Sequence, residues 1–315
     1  MSDQHPQEQF QKWKITTPYL NLHCGLGEGP YFEEATNTLR FVDIKKKRLH
    51  TVSVSSENPK ETVTTLQFTE AVTVTADIEG QNPQEKLLVG AKQGLAVLDR
   101  RTGQYEYISK YEMAEGKEFK WERIRSNDGA VDPLGRFWLG TMTDFGLGDF
   151  QAEGSLYHFS KSQPPTTVLE NLTIPNSVGW SPDGKTMYFT HSTEREVLCW
   201  DFDPKTGEMG NNKRVFYKHD GKGEPDGFRV DVEGNLWHAV YGEGKILKID
   251  GTGKLVGEVS LPTKNITCVE FVGEELFVTT AAGEEGDSET EREMGGGLFR
   301  VRVGVKGLGH GKFVL

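Results

Sequence analysis

Apolar and polar positions in this chain alternate in short runs, and the runs are separated by glycine, proline and acidic residues. Such a rhythm predicts short, half-buried strands joined by tight turns. One phrase recurs: an apolar strand, an acidic-Gly or Pro-Gly turn, then an aromatic-rich strand. It reads Gly129-Ala-Val-Asp-Pro-Leu-Gly-Arg-Phe-Trp138, then Val178-Gly-Trp-Ser-Pro-Asp-Gly-Lys-Thr-Met-Tyr188, then Gly227-Phe-Arg-Val-Asp-Val-Glu-Gly-Asn-Leu-Trp237. Asp-Gly, Glu-Gly and Pro-Leu-Gly supply the backbone angles that hairpin turns need. A repeat of about 45 to 50 residues is the signature of a propeller or a solenoid.

Looser copies extend the array. Gly29 to Asp43 form one at the front, Cys268 to Val278 one at the back, and Val72 to Thr75 with Lys86 to Leu98 imply a further unit. Second hairpins follow at Arg48 to Val54, Gly154 to Phe159, Val197 to Phe202, Gly244 to Asp250 and Gly297 to Arg302. The expected fold is therefore all-β: a six-bladed β-propeller with four antiparallel strands per blade around a central channel. No stretch demands a long amphipathic helix. A propeller brings residues that are distant in sequence to one channel mouth, and that is where chemistry is expected.

Composition narrows the picture. Length alone would allow two domains in 315 residues, but no linker is visible, so residues 12–315 are expected to form a single domain behind a disordered polar lead-in over residues 1–11. The acidic run Gly283 to Glu293 reads as a solvated loop inside the last blade. A formal charge of −11 excludes a nucleic-acid surface, which needs clustered Lys and Arg. The one basic run, Lys45 to Arg48, falls at a hairpin turn and is expected to be exposed. A polar N-terminus and the lack of a long apolar stretch predict a cytoplasmic protein with no membrane span. Cys24, Cys199 and Cys268 form no paired framework and no CxxC motif, so reduced, structural thiols are expected. The sequence leaves monomer and dimer open.

Four polar residues interrupt the pattern just before predicted innermost strands: Glu28, Asn127, Asn176 and Asp226. Equivalent positions in equivalent blades face the same channel mouth. They offer only oxygen ligands, the set that hard divalent cations prefer. Taken one at a time, Asn176 and Asp226 read first as turn formers, since each follows a proline and precedes a small residue. The residues alone leave both readings open, although Glu28, between two glycines, fits a turn less well.

The chain resembles the gluconolactonase/regucalcin (senescence marker protein) family of six-bladed propeller lactonases from about Gly25 onwards. The carrying motifs are Gly27-Glu-Gly-Pro30, Phe41-Val-Asp-Ile44, Arg125-Ser-Asn-Asp-Gly-Ala-Val-Asp-Pro-Leu-Gly-Arg136 with Gly140-Thr-Met142, Pro175-Asn-Ser-Val-Gly-Trp-Ser-Pro-Asp-Gly184, and Pro225-Asp-Gly-Phe-Arg-Val-Asp231. The resemblance implies that Glu28, Asn176 and Asp226 hold one divalent cation, Ca²⁺ foremost, with Zn²⁺, Mg²⁺ or Mn²⁺ as alternatives. It places Arg125 and Asn127 in the substrate pocket, with Asp144 touching the sugar. Two positions depart from the family pattern: Phe145 stands where a second acidic residue is usual, and His191 where an aspartate is frequent. These changes predict a more apolar rim and an altered sugar preference.

On this reading a sugar lactone is the small-molecule partner, polarised by the cation, with Asp226 as general base and His191 as a candidate proton carrier. Two alternatives stay open. The same cation would polarise the P=O of an organophosphate or the carbonyl of an aryl ester, or the metal would be structural in a non-enzymatic Ca²⁺-binding, regulatory propeller. Gly-x-Ser-x-Gly, His-Glu-x-x-His and phosphate-loop motifs are absent. His238 and Tyr241 follow Trp237 and are candidates to line the channel.

Overall fold

The computed structural model describes residues 10–114, 122–161 and 163–315. Its strands form six separate sheets, five of four strands and one of five. Each sheet is an antiparallel meander that starts at the hub. The first blade runs Gly27–Glu33, Thr38–Asp43, Arg48–Ser53, Thr64–Gln67 from inside to outside. The other innermost strands are Val72–Ala76, Ile124–Val131, Pro175–Trp180, Glu224–Val230 and Ile266–Val272. They pack side by side around the channel. This is the expected propeller.

Two features depart from four strands per blade drawn in sequence order. The last blade takes its outermost strand from the front of the chain, where Leu20–Asn21 pairs with Gly297–Arg302 and closes the ring. The fifth blade gains an extra parallel strand, Gln11–Lys14, outside Leu255–Ser260. Of the expected lead-in over residues 1–11, residues 1–9 lie outside the described residues and Gln11 already opens this strand. The acidic run also differs from a plain loop. Glu289–Met294 is a short helix with a capping box: the Ser288 hydroxyl accepts from the Glu291 amide, and the Glu291 carboxylate accepts from the Ser288 amide. Lys45 to Lys47 form an exposed turn. Among the described residues no helix is long and apolar enough to cross a membrane.

The core lies in layers between blades, because alternating strands present apolar side chains on both faces. Trp138 and Leu156 of the third blade pack with Val178, Trp180 and Phe189 of the fourth. Tyr188 and Val197 on the other face of the fourth blade pack with Phe228 and Leu236 of the fifth.

The recurring phrase has a physical reason. Asp132 accepts from the Leu134 and Arg136 amides and from the Trp138 indole N–H at 3.0 Å. Asp231 does the same for the Glu233 and Asn235 amides and for the Trp237 indole at 2.9 Å. One buried carboxylate thus closes the turn and fixes the tryptophan six positions later. In the fourth blade Ser181 takes the place of this aspartate, and its hydroxyl accepts from the Thr186 amide. Removing the Asp231 carboxylate leaves a fully buried indole N–H and a buried turn amide without partners. Asp231→Ala is expected to lower stability by about 3 kcal/mol, read as a fall in the urea midpoint. Asp183→Ala, at an exposed turn, is expected to cost less than about 1 kcal/mol.

Candidate active site

All six innermost strands change register near their N-terminal ends. The shifts fall between Glu28 and Tyr31, Val72 and Val74, Ser126 and Gly129, Pro175 and Val178, Pro225 and Phe228, and Ile266 and Cys268. A β-bulge bends its strand and re-aims the side chains within it. Here the bulges hold Glu28, Asn127, Asp128, Asn176, Ser177 and Asp226, which are all buried at the hub. Small residues allow the close approach: a Cβ on Gly227 would lie 2.4 Å from the Cys268 sulfur.

Hydrogen bonds link these residues across blades. Asn127 Nδ2 donates to Asn176 Oδ1 at 3.1 Å and to the Pro175 carbonyl at 2.8 Å. Asn176 Nδ2 donates to Ser192 Oγ, so its carbonyl end is turned towards the hub. Arg125 Nη1 donates to Asn127 Oδ1 at 2.8 Å and to the Ser126 carbonyl. The Arg125 Nε is buried and finds no partner among the described residues, which leaves a donor uncommitted.

The carboxylates carry the strongest electrostatic signal. Glu28 and Asp226 are each 8% exposed. Glu28 accepts only from its neighbour Gly29, and Asp226 accepts nothing from the described residues. Burial, then the Asp128 charge, pushes Glu28 up to about 8. Burial, then Glu28, Asp128 and Glu224, holds Asp226 well above the ordinary carboxylate range. Glu28 raises Asp226 and Asp128 raises both, against an opposing pull from Arg125, so the two share one electrostatic environment, and neither has an ion-pair partner among the described residues. Buried anions without a counter-charge are unfavourable, and a divalent cation is the group that would relieve them. The donors fit such an ion: two carboxylates and the Asn176 carbonyl, all oxygen.

The remaining expected residues take varied places. Asp144 is half-buried, ion-paired with Lys92 at 2.6 Å, and close enough for its charge to act on Arg125. Phe145 forms an apolar wall, with the Arg125 guanidinium 4.3 Å and the Lys45 ammonium 5.8 Å from its ring centre. Burial brings Arg125 down to about 10, against the pull of Asp144, Glu28 and Asp226. His191 Nε2 accepts from the Thr173 amide at 3.3 Å and meets Thr193, and burial lowers its pKa. Its partners belong to the fourth blade rather than to the donor set. His238 is buried between blades and bonds Thr190 at 2.8 Å, while Tyr241 donates to Glu284. All three cysteines are free and buried.

Sequence reasoning passed over Asp128 and Ser177. Asp128 accepts from Ser177 Oγ at 2.6 Å, and the same hydroxyl accepts from the Phe228 amide at 2.9 Å, joining three blades. The signal lay inside motifs already singled out, one position beyond Asn127 and Asn176.

Comparison with known proteins now has a geometry to explain. The SMP-30/gluconolactonase/LRE-like model matches residues 26–282. The chain belongs to that family. It is 32% identical to a regucalcin of Bos taurus, over 91% of this chain and 94% of the relative. It is 30% identical to a pentonolactonase of Haloferax volcanii, over 92% of this chain and 95% of the relative. The crystal structure of a regucalcin from Agrobacterium tumefaciens, described as a calcium-binding protein, superposes with a TM-score of 0.82 at 29% identity, covering 97% of this chain and 99% of that one.

The Glu28 carboxyl binds a proton more tightly in the folded, metal-free chain than its ordinary value of 4.5 allows. Its contribution to stability is therefore complete below about pH 4.5 and is lost as pH rises towards about 8. The thermal midpoint of chelator-treated protein is expected to fall over this interval, and Glu28→Gln to flatten the fall. Saturating Ca²⁺ is expected to raise the midpoint most at the alkaline end.

Proposed function

We propose that this chain hydrolyses the ring ester of a sugar lactone to the open hydroxy acid, with a divalent cation held by Glu28, Asn176 and Asp226. The observation that carries this reading is the pair of buried carboxylates, without ion-pair partners among the described residues, at a hub where Asn176 and Arg125 also converge. Support comes from relatives named as a pentonolactonase and, in Bacillus subtilis, as a putative sugar lactone lactonase.

A bound divalent ion supplies Lewis-acid polarisation of the lactone carbonyl. The rest falls to the chain. Asp226, which sits at the hub beside the proposed cation, takes a proton from the water that attacks the carbonyl carbon. When the ring C–O bond breaks, the proton returns to the departing alkoxide oxygen. Asn127 holds Asn176 in position through its amide. Arg125 offers its free donor to a substrate oxygen, and Phe145 beneath the guanidinium fixes its plane. Asp144 sets the rim charge through Lys92. The reading leaves His191 out of the proton path, since its Nε2 is committed to the Thr173 amide. The expected cation is Ca²⁺, in line with the all-oxygen donors.

Opening of a panel of aldonolactones, followed by acid release in a pH-stat, tests the proposal. Asp226→Asn is expected to lower kcat by about 10²- to 10⁴-fold, and a chelator to abolish turnover that Ca²⁺ restores. Phe145→Glu is expected to change the ranking of lactones more than the rate on the best one. A faster phosphotriester than any lactone would favour the organophosphate alternative. Full Ca²⁺ binding without turnover of any ester would favour a regulatory propeller.

A further inference from the structure

The first blade carries a second buried group of ligating side chains that lactone hydrolysis does not use. Cys24 stands just before the innermost strand, Asp43 ends the second and His50 lies in the third. They are 1%, 0% and 4% exposed. One ligand atom from each, a sulfur, a carboxylate oxygen and an imidazole nitrogen, all lie within 4.8 Å of one another.

Each side chain is oriented from behind. His50 Nδ1 is 2.9 Å from Thr65 Oγ1, and its Nε2 has no hydrogen bond from the described residues. The Asp43 carboxylate accepts from the amides of Gly25 at 2.9 Å, Leu26 at 3.2 Å and Lys46 at 3.0 Å. Those amides fix its position without neutralising it, and no ion-pair partner of Asp43 occurs among the described residues. The nearby cations are engaged elsewhere: the Lys46 ammonium donates to the His23 carbonyl, and the Arg48 Nε donates to Gln67. Cys24 is fixed through its backbone amide, which donates to the Gly296 carbonyl.

We propose that Cys24, Asp43 and His50 bind a transition-metal ion of the zinc type, at a site separate from the oxygen donors of the hub. Thiolate, imidazole and carboxylate together suit Zn²⁺ and disfavour Ca²⁺. A tetrahedral ion with Zn–S of about 2.3 Å and Zn–N of about 2.0 Å sets its ligand atoms about 3.3 to 3.6 Å apart. Side-chain adjustment of about 1 Å closes the observed cluster onto an ion. Water fills the fourth position, and Thr65 holds the imidazole from outside, the kind of support that metal-bound histidines receive.

Ligation costs a proton. As the sulfur–metal bond forms, the Cys24 S–H bond breaks and the proton leaves to solvent. Because the thiol must lose its proton to ligate, binding strengthens as pH rises. The bound ion would join Cys24 to Asp43 across Gly25 and Leu26, the approach to Glu28. This inference does not rest on lactone hydrolysis.

Co²⁺ titration of the reduced, chelator-treated full chain tests it. A thiolate-to-cobalt charge-transfer band and intense visible tetrahedral bands are expected, because the oxygen donors at the hub give neither. Both features should vanish in Cys24→Ser and in His50→Gln and persist in Asp226→Asn. Zn²⁺ should bleach them and release one proton per ion when added, in a weakly buffered indicator assay, to protein whose hub donors are first saturated with Ca²⁺. A wild-type chain without the charge-transfer band, or a band that survives both triad substitutions, overturns the proposal. Loss of the band in Asp226→Asn overturns the separateness of the two sites. If Cys24→Ser does not fold, His50→Gln and the proton count decide: no released proton sinks the idea.

Discussion

Closure of the ring is the constraint on which the hub depends. The oxygen donors come from the first, fourth and fifth blades, and the sixth blade stands between the fifth and the first. That sixth blade is completed by Leu20–Asn21, a strand from the opposite end of the chain. Tyr19 reinforces the junction by packing edge-on against Phe277, with Arg300 4.4 Å above its ring. At the channel wall Thr267 donates to the Gly27 carbonyl at 2.6 Å, and Arg229 bridges Glu270 of the sixth blade and the Pro30 carbonyl of the first. Glu28 is thus brought to Asp226 by contacts of high sequence separation.

With the ring closed, two opposing tendencies meet at its centre. Interblade layers are apolar and exclude water, which strengthens every charge interaction inside. The bulges then turn acidic and amide side chains into that dry space. The outcome is a set of carboxylates held near one another at a disadvantage that an ion would convert into affinity. Buried structural acids in the same protein look different: Glu33 is paired with Arg40 and Arg100, and Glu270 with Arg229 and His310. Asp226 has no such partner among the described residues.

The two mouths of the channel are also built differently. Innermost strands all run the same way, so their bulged starts gather at one end and their finishing residues at the other. At that far end the C-terminal segment crosses the opening, with Gly307 bridging Asp231 and Phe313 bridging Ile78. His310 stacks on Tyr31 at 4.2 Å and bonds Glu270 at 2.9 Å, beside a cavity of about 470 Å³. Access to the donors is therefore expected from the bulged end, where Phe145, Lys45 and Lys92 form the rim.

Local chemistry was legible in the chain because it acts over a few residues. Asp132 and Asp231, with glycines three positions on and tryptophans six positions on, declare both turn and strand, and a repeat of such units leaves little but a propeller. Glu28, Asn127, Asn176 and Asp226 stood out because each breaks an apolar rhythm at the same point of the repeat. Other features are decided only by the tertiary fold. The parallel strand Gln11–Lys14, the closing strand Leu20–Asn21 and the Cys24–Asp43–His50 cluster arise from pairings that no local spacing encodes. His191 was a candidate proton carrier by type and position, and only the fold shows that its Nε2 accepts from the Thr173 amide. A sequence specifies which groups are present and how each turn is made; which carboxylate goes uncompensated depends on what the closed ring brings beside it.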